Sequence, residues 1–402
     1  ALAKLWDVED TDLLNLLAIE EKLTIIDRTL QLLLENHDSS FGGTYINIKA
    51  KKVFVNTVDF TVMNNITDSS EIKNGDYVNF INFIPANNSM TTLKFRFNSI
   101  FNLIKQYKPI SIQLYIDMEL NNVVIRHLEE NIKKNELFIK FASQYEPTFI
   151  RPSALPNSNC QNQKISQTRI SNRDLITHQI LNGDGIYNNA TGGLCSAAFL
   201  ARSNNTDNPK YIVTAGHCSD QFQRFSNVAQ LFYHYPWGSE KPLNFLGKMI
   251  ESENIDFYDF GLIELTDNYI EQSTQHLRNS DSNQYVELFA EGGKNITSHG
   301  VHLCKSGLTT HTTCGFVRGL NAVTINRIGF MGTDHILAGK DSFQMSCPGD
   351  SGACAFSYLQ DLLTVSINGM LIQGFGDFSV YVPLNTILIK GGLELVRSPT
   401  PL

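Results

Sequence analysis

Three short strings contain the residue types that nucleophilic catalysis requires. The first, Cys347-Pro-Gly-Asp-Ser-Gly-Ala-Cys354, places a serine between two glycines. A serine hydroxyl is a weak nucleophile near neutral pH and needs a base to accept its proton. Gly349 lets the turn direct the backbone N–H groups of Gly349 and Ser351 towards one point, where a developing oxyanion would sit. Taken alone, however, Gly-Asp-Ser-Gly is also a common turn composition.

The other two strings supply a base and a carboxylate. Thr214-Ala-Gly-His217-Cys218 follows the strand-like run Tyr-Ile-Val, and an imidazole is the side chain best suited to moving protons near neutral pH. Asp259 directly precedes an apolar strand-like run, Phe260–Leu265, and a carboxylate there is placed to accept the Nδ1–H of the histidine. Asp256 is the weaker alternative because it does not border that run. We therefore predict a triad of His217, Asp259 and Ser351.

The order His, Asp, Ser and the strings themselves resemble the chymotrypsin-like serine peptidases. Further matches resemble the streptogrisin/alpha-lytic branch, and the likeness covers most of 180–390. Ile180-Leu-Asn-Gly-Asp-Gly resembles the start of the mature enzymes of that branch. Gly193-Leu-Cys-Ser-Ala-Ala-Phe resembles their first disulfide-bearing strand, and the segment from Cys304 to Cys314 resembles their second disulfide loop. The passages at Phe41-Gly-Gly and from Tyr115 to Ile125 resemble, more loosely, the two lobes of that branch's pro-region.

The resemblance implies an all-β, chymotrypsin-like catalytic domain of two six-stranded barrels with the triad in the cleft between them. An α+β pro-region of two small lobes would precede it. His217 would be the general base, Asp259 its orienting partner and Ser351 the nucleophile, and Gly349 and Ser351 would provide the oxyanion N–H groups. Ser366 would support Asp259.

The resemblance also implies supporting contacts around the serine turn. Lys305 stands where the family usually has Arg and would pair with Asp350, and disulfides would join Cys195 to Cys218 and Cys304 to Cys314. This chain departs from the family at Ala353 and Cys354, and no cysteine follows Cys354 to close the usual bridge from Cys347. A Cys347–Cys354 pair and two free thiols both remain open.

Composition changes divide the chain into three parts. Residues 1–150 alternate helical and strand-like periodicities, with helical spacing over 12–35, 97–107 and 128–141 and strand-like runs at 45–48, 53–55, 112–117 and 122–125. Residues 151–179 are rich in Pro, Ser, Asn and Gln, which predicts a linker with a processing site near Gln179–Ile180. Residues 180–402 contain many short strand-like runs, which predicts the barrel domain.

Bulk properties exclude several classes of function. The net charge of −8 provides no basic surface for nucleic acid, and no apolar run approaches the ~20 residues that span a bilayer. Six of the seven cysteines lie between Cys195 and Cys354, which predicts disulfides and a secreted protein. We expect a monomer acting on proteins or peptides, with its own pro-region as intramolecular partner and no cofactor or metal. Asn-x-Ser/Thr triplets that predict glycosylation begin at Asn65, Asn87, Asn189, Asn204 and Asn295.

The same residues allow three rival interpretations. An α/β-hydrolase needs its histidine after the serine, and no histidine follows Ser351. A zinc site is suggested by a local crowding of ligand types, but the match of two of them to a disulfide loop argues against it; these residues are His299, His302, Cys304, His311 and Cys314. A catalytically inactive homologue acting as a secreted binding protein is the alternative function. The N-terminal half is predicted to assist folding and to block the cleft, the alternative being an unrelated accessory domain.

Overall fold

The computed structural model describes residues 1–151, 160, 179–204, 210–219, 230–251, 258–270, 275–280, 287–340 and 343–396. Asp256 and most of the predicted linker lie outside these residues. The α-helices are α1 Leu2–Trp6, α2 Leu13–Leu34, α3 Met63–Thr67, α4 Ser70–Asn74, α5 Met90–Tyr107, α6 Glu136–Ala142, α7 Asp267–Ile270 and α8 Leu384–Lys390.

The strands fall into an N-terminal and a C-terminal group. The first comprises β1 Phe41–Asn47, β2 Lys52–Thr57, β3 Ile81–Pro85, β4 Ile112–Asp117, β5 Asn122–His127 and β6 Thr148–Ile150. The second comprises β7 Gly185–Asn188, β8 Leu194–Ser196, β9 Phe199–Ser203, β10 Lys210–Ala215, β11 Gln230–Tyr235, β12 Phe245–Glu251, β13 Phe260–Leu265, β14 His276–Arg278, β15 Glu287–Gly293, β16 His302–Gly307, β17 His311–Ile325, β18 Met331–Gly339, β19 Cys354–Tyr358, β20 Thr364–Phe375, β21 Phe378–Pro383 and β22 Leu393–Leu395.

The first N-terminal lobe is the long helix α2 packed on the sheet β1-β2-β3. Leu23, Ile26 and Leu30 recur at helical spacing and are fully buried, which is the amphipathic pattern that predicts this helix. Strand β3 pairs in parallel with β2. The sequence analysis missed β3 because its side chains are only half-buried and carry no clear alternation.

The second N-terminal lobe packs α5 and α6 against the hairpin β4–β5. Helix α5 begins after Ser89, whose hydroxyl accepts the backbone N–H of Thr92 at 3.2 Å, as an N-cap residue does. The predicted helix over 128–141 is shorter, since residues 129–131 form a single 3₁₀ turn and α6 begins only at Glu136. Ile100, Ile104 and Phe138 belong to a separate core of this lobe.

The C-terminal half is built from two curled sheets, and the predicted chymotrypsin-like fold class is confirmed. One sheet has the order β22-β9-β10-β13-β12-β11-β7-β8. The other runs β14-β15-β20-β19-β16-β17 with β18 and β21 beside it, and it continues into β4, β5 and β6 of the N-terminal half. Short edge strands such as β8, β14 and β22 extend both sheets beyond the six strands expected of each barrel.

Strand β17 joins the two halves of the chain. Its first part forms a hairpin with β16, and its last three residues pair with β4, with Val323 opposite Leu114 and Ile325 opposite Ile112. One hydrophobic core also runs from α1 and α2 into both C-terminal sheets. The N-terminal half is therefore continuous with the C-terminal half in hydrogen bonding and in packing. Among the described residues, no helix has the length and apolarity needed to cross a membrane.

Candidate active site

The three predicted triad residues lie in one hydrogen-bonded row. The Nδ1 atom of His217 is 2.8 Å from Oδ2 of Asp259, and its Nε2 atom is 2.8 Å from Oγ of Ser351. The backbone N–H of His217 also donates to Oδ1 of Asp259 at 2.8 Å. Both carboxylate oxygens therefore hold the histidine, one through its ring and one through its main chain, and the ring nitrogen facing the serine is the one left to exchange a proton.

Two adjacent strands bring the base and the carboxylate together. Strand β10 ends at Ala215, which is paired with Phe260 at the start of β13. A single 3₁₀ turn, Gly216–Cys218, then carries His217 over the residue that precedes β13. A Cβ atom at Gly216 would lie 2.9 Å from the carbonyl oxygen of Phe260, so this close approach requires glycine.

Asp259 has a left-handed backbone with a φ of 49°. This conformation is uncommon for residues other than glycine and is best tolerated by Asn and Asp. The carbonyl oxygen of Asp259 accepts the N–H of Gly216 at 3.0 Å. The main chains on either side of the carboxylate–imidazole contact are thus bonded to each other, and the contact does not depend on side chains alone.

The pKa of His217 is set by two opposing effects. Burial lowers it, but the negative charge of Asp259 and its hydrogen bond to the ring raise it, and the result lies above the ordinary value of 6.5. A raised pKa strengthens the imidazole as a base towards Ser351. The side chains of His217 and Asp259 are 30% and 18% exposed, so the row opens to solvent from the histidine side.

Two glycines with positive φ values shape the serine turn. Gly349 and Gly352 have φ values of 99° and 85°, which favour glycine. Within the described residues, the backbone N–H groups of Gly349 and Ser351 donate to no protein acceptor. Ser196 holds the turn from the other sheet, because its N–H donates to the carbonyl of Ser351 at 2.7 Å and its hydroxyl donates to the carbonyl of Gly349 at 2.8 Å.

Asp350 is fully buried behind the turn and accepts several hydrogen bonds. Oδ1 accepts the N–H of Thr309 at 2.8 Å, and Oδ2 accepts the N–H of Cys347 at 2.9 Å and lies 2.7 Å from the hydroxyl of Thr310. The buried ammonium group of Lys305 is 3.5 Å from Oδ2 and bonds directly to the Thr310 hydroxyl. Burial lowers the pKa of Lys305, and the charge of Asp350 offsets part of that effect.

Thr309 and Thr310 were not singled out from the sequence. Lys305 alone does not enclose Asp350, because most of the hydrogen bonds to that carboxylate come from these two threonines and from the backbone. Ser196 was also missed, although it lies in the string that resembles the family's first disulfide-bearing strand. The only sequence signal for all three was their place inside the matched strings.

Ser366 does not support Asp259, contrary to the expectation. It lies in β20 opposite Ser357, on the side of the molecule where α2 meets the C-terminal half. The part of β20 near Asp259 is six residues further along, at Ile372, Gln373 and Gly374, which line a cavity of about 410 Å³ together with His217 and Asp259. The resemblance identified the correct strand but the wrong part of it.

The cysteines form three bridges, and one of them was not expected. Cys195 is joined to Cys218 and Cys304 to Cys314. Cys347 is joined to Cys160, with 5.7 Å between their Cα atoms, and Cys354 is buried as a free thiol. Neither alternative left open for Cys347 is therefore correct. The sequence left the pairing of Cys160 undecided, and this linker cysteine is the partner of Cys347.

Four of the five residues of the rival zinc interpretation have other bonding partners. Cys304 and Cys314 are in a disulfide, and a sulfur in a disulfide is not the thiolate that zinc binds. His302 lies between Glu20 and the backbone N–H of Tyr358, and His299 lies 3.1 Å from the carbonyl oxygen of Arg318.

The Lys305–Asp350 contact generates a prediction for stability. Lys305→Met should lower the free energy of unfolding by about 3–5 kcal/mol, because it leaves a buried carboxylate without its cation. The exposed Lys248→Met on β12 is the matched control and should change it by less than about 0.5 kcal/mol. Urea denaturation followed by circular dichroism measures both, and equal midpoints for the two variants would contradict a role for this pair.

Comparison with known proteins places the same half of the chain among proteases. Residues 190–387 match the family model described as Trypsin. A stretch of 106 residues, 26% of this chain, is 33% identical to Serine protease 1 of Rarobacter faecitabidus, and the chain spans only about a fifth (19%) of that protein's length. The structures of Thermobifida fusca protease A and of Nocardiopsis protease are 19% and 21% identical, each with a TM-score of 0.42, and cover 55% of this chain and 100% of theirs. The family match supports a chymotrypsin-like serine protease in the C-terminal half.

Proposed function

We propose that this chain is a serine endopeptidase that hydrolyses peptide bonds through an acyl-enzyme. The single observation that carries the proposal is the row in which His217 lies 2.8 Å from Asp259 on one side and 2.8 Å from Ser351 on the other. The family match to residues 190–387 supports the same reaction class. The alternative of an inactive binding protein is not favoured, because no member of the row is missing.

In the proposed mechanism each residue has one role. Nε2 of His217 takes the proton of the Ser351 hydroxyl as its oxygen attacks the substrate carbonyl, and Asp259 stabilises the imidazolium that forms. The N–H groups of Gly349 and Ser351 stabilise the oxyanion. His217 then gives its proton to the leaving amine, and a water molecule repeats the sequence to release the acid and restore Ser351.

The proposed substrates are proteins and peptides. The residues before Cys347 are Gln344, Met345 and Ser346, and none of them is acidic. A preference for Lys or Arg at the cleaved bond is therefore not expected, and we propose a medium or large apolar side chain. The three disulfides support synthesis into an oxidising compartment, and hence secretion.

We also propose that the chain is a zymogen divided into 1–150, a linker over 151–179 and 180–402. The pairing of β4 with β17 supports a role for the N-terminal half in folding, because barrels with many non-local contacts fold slowly and a bound partner lowers that barrier. Among the described residues, none from 1–151 lines the cavity beside His217. Blocking of the cleft stays a prediction for the linker, most of which lies outside the described residues.

The catalytic proposal is tested with a fluorophosphonate probe, which reacts only with an activated serine. Ser351 should be labelled, and Ser351→Ala should lose both the label and peptide hydrolysis. Ser366→Ala, at a buried serine on the side of the molecule where α2 packs, is the matched control that should keep both. Peptide mapping of the adduct identifies the site. A folded protein that takes no label after removal of the linker would support the binding-protein alternative.

The raised pKa of His217 predicts how the rate depends on pH. The imidazole must be neutral to accept the serine proton, so kcat/KM should rise with pH and reach half its plateau above pH 6.5. Asp259→Asn removes the charge that raises this pKa, so the midpoint should move to lower pH while kcat falls about 10⁴-fold. The exposed Asp267→Asn should leave the profile unchanged. A midpoint that is the same in Asp259→Asn and in the natural protein would contradict the assignment of His217.

The folding role is tested by refolding residues 180–402 with and without 1–179 supplied as a separate chain. The yield of probe-reactive protein should be several-fold higher with the N-terminal chain, since β17 and the shared core then find their partners. The matched control is a 1–179 chain carrying Leu114→Pro, which removes a backbone donor from β4 and disrupts its pairing. Equal yields from all three mixtures would identify 1–179 as an accessory domain.

A further inference from the structure

We propose that the N-terminal half stays with the catalytic half after the linker is cut, so that the active molecule consists of two chains joined by the Cys160–Cys347 disulfide. The inference rests on the proposed function, because it assumes that a cut between Cys160 and Ile180 accompanies maturation. Such a cut adds one water to one peptide bond and leaves the sulfur–sulfur bond unchanged. The N-terminal half would then be a permanent subunit rather than a discarded pro-region.

The Cys160–Cys347 bridge connects the two sides of the predicted processing site. Cys160 precedes the predicted processing site near Gln179–Ile180, and Cys347 lies four residues before Ser351. Any cut between residues 161 and 179 therefore leaves the N-terminal half covalently attached to the catalytic half. The other four bridged cysteines pair within the catalytic half, and Cys354 is a buried free thiol. The arrangement thus uses one cysteine from each side of the cut.

Buried ion pairs also join the two halves, and they would be broken if the N-terminal half dissociated. The guanidinium of Arg318 in β17 makes a two-pronged contact with Asp117 of β4, at 2.9 and 3.2 Å to Oδ2, and Asp117 is 2% exposed. Arg126 of β5 is equally buried, pairs with Asp377 and lies 4.0 Å over the ring of Phe378. Separation would leave Arg318 without its buried partner and expose a surface shaped around these charges.

Glu20 of α2 and His302 of β16 form a further buried contact between the two halves. Oε2 of Glu20 lies 2.5 Å from Nδ1 of His302, and Oε1 accepts the backbone N–H of His302 at 2.9 Å. The other ring nitrogen accepts the N–H of Tyr358 at 2.9 Å, and Trp6 packs edge-on against the ring at 5.6 Å. The Nδ1 atom and the backbone N–H of this histidine therefore keep their Glu20 partner only while α2 stays in place.

In the described part of the chain, the N-terminal half does not fill the cavity beside His217 and Asp259. The residues beside His217 and Asp259 come from β17, β18, β20 and the β17–β18 turn. Of the described residues, none from 1–151 is among them. The N-terminal half contacts the end of β17 at Val323–Ile325, and that strand also contributes Thr324 to the cavity wall. The proposed subunit therefore supports one wall of the site without filling it.

The test uses the full chain produced in an oxidising compartment, matured and labelled with the fluorophosphonate probe. In a denaturing gel without reductant, the label should migrate at the mass of the whole chain, 45.1 kDa. With reductant, the label should move to the mass of residues 180–402, and protein stain should reveal a second, unlabelled band from which peptides of residues 1–151 are recovered. Cys160→Ser should give the lower labelled band even without reductant, whereas Cys354→Ser, which changes a free cysteine, should behave like the natural chain.

The remaining outcomes separate this inference from the proposed function. A label at the mass of 180–402 without reductant in the natural protein, or at the full mass with reductant, would overturn the two-chain molecule. Two stained bands that separate only with reductant but carry no label would support the bridge and count against the catalytic proposal. Should Cys160→Ser fail to fold, mass spectrometry of unreduced peptides from the natural protein decides the question, because a peptide pair linking Cys160 to Cys347 must be present.

Discussion

The arrangement of the site depends on one buried carboxylate. Asp350 sits directly before the proposed nucleophile, and its oxygens collect backbone and hydroxyl donors from Thr309, Thr310 and Cys347, with Lys305 as counter-charge. A charge in that position has to be fully bonded, since an unpaired one is costly. Once those bonds are made, the turn has few remaining conformations, and the N–H groups of Gly349 and Ser351 donate to no acceptor among the described residues.

The proposed triad also requires that the two sheets keep a fixed position relative to each other, because its residues come from both. Ser196, next to the Cys195–Cys218 bridge, bonds the carbonyls of Gly349 and Ser351 across the gap between the sheets. A Cβ atom at Gly352 would lie 2.2 Å from the carbonyl oxygen of Ser196. Gly352 thus has two roles: it allows the two sheets to approach closely, and it adopts the positive φ that the turn needs. The backbone N–H and the hydroxyl of Ser196 thus hold the serine turn where Ser351 can hydrogen-bond to His217.

Much of the architecture could be predicted from local patterns, and the failures have physical causes. The spacing of Leu23, Ile26 and Leu30 predicted α2 because one face of that helix is buried. Strand β3 gave no such signal, since both of its faces are partly exposed. The misplaced support role of Ser366 and the missed Cys160–Cys347 bridge share one cause. Both depend on which residues distant in sequence lie opposite each other, and periodicity within a segment carries no such information.

The pairing of β4 with the end of β17 has a consequence for the behaviour of the protein in concentrated solution. If β4 were absent, Val323, Thr324 and Ile325 would form an apolar strand edge with free N–H and C=O groups. Natural proteins cover or charge such edges because they template pairing with a second molecule. The hairpin β4–β5 therefore acts as a protective cover, and β5 is in turn flanked by the short strand β6. The pairing of β4 with β17 therefore joins the two halves and also protects the protein against edge-to-edge association.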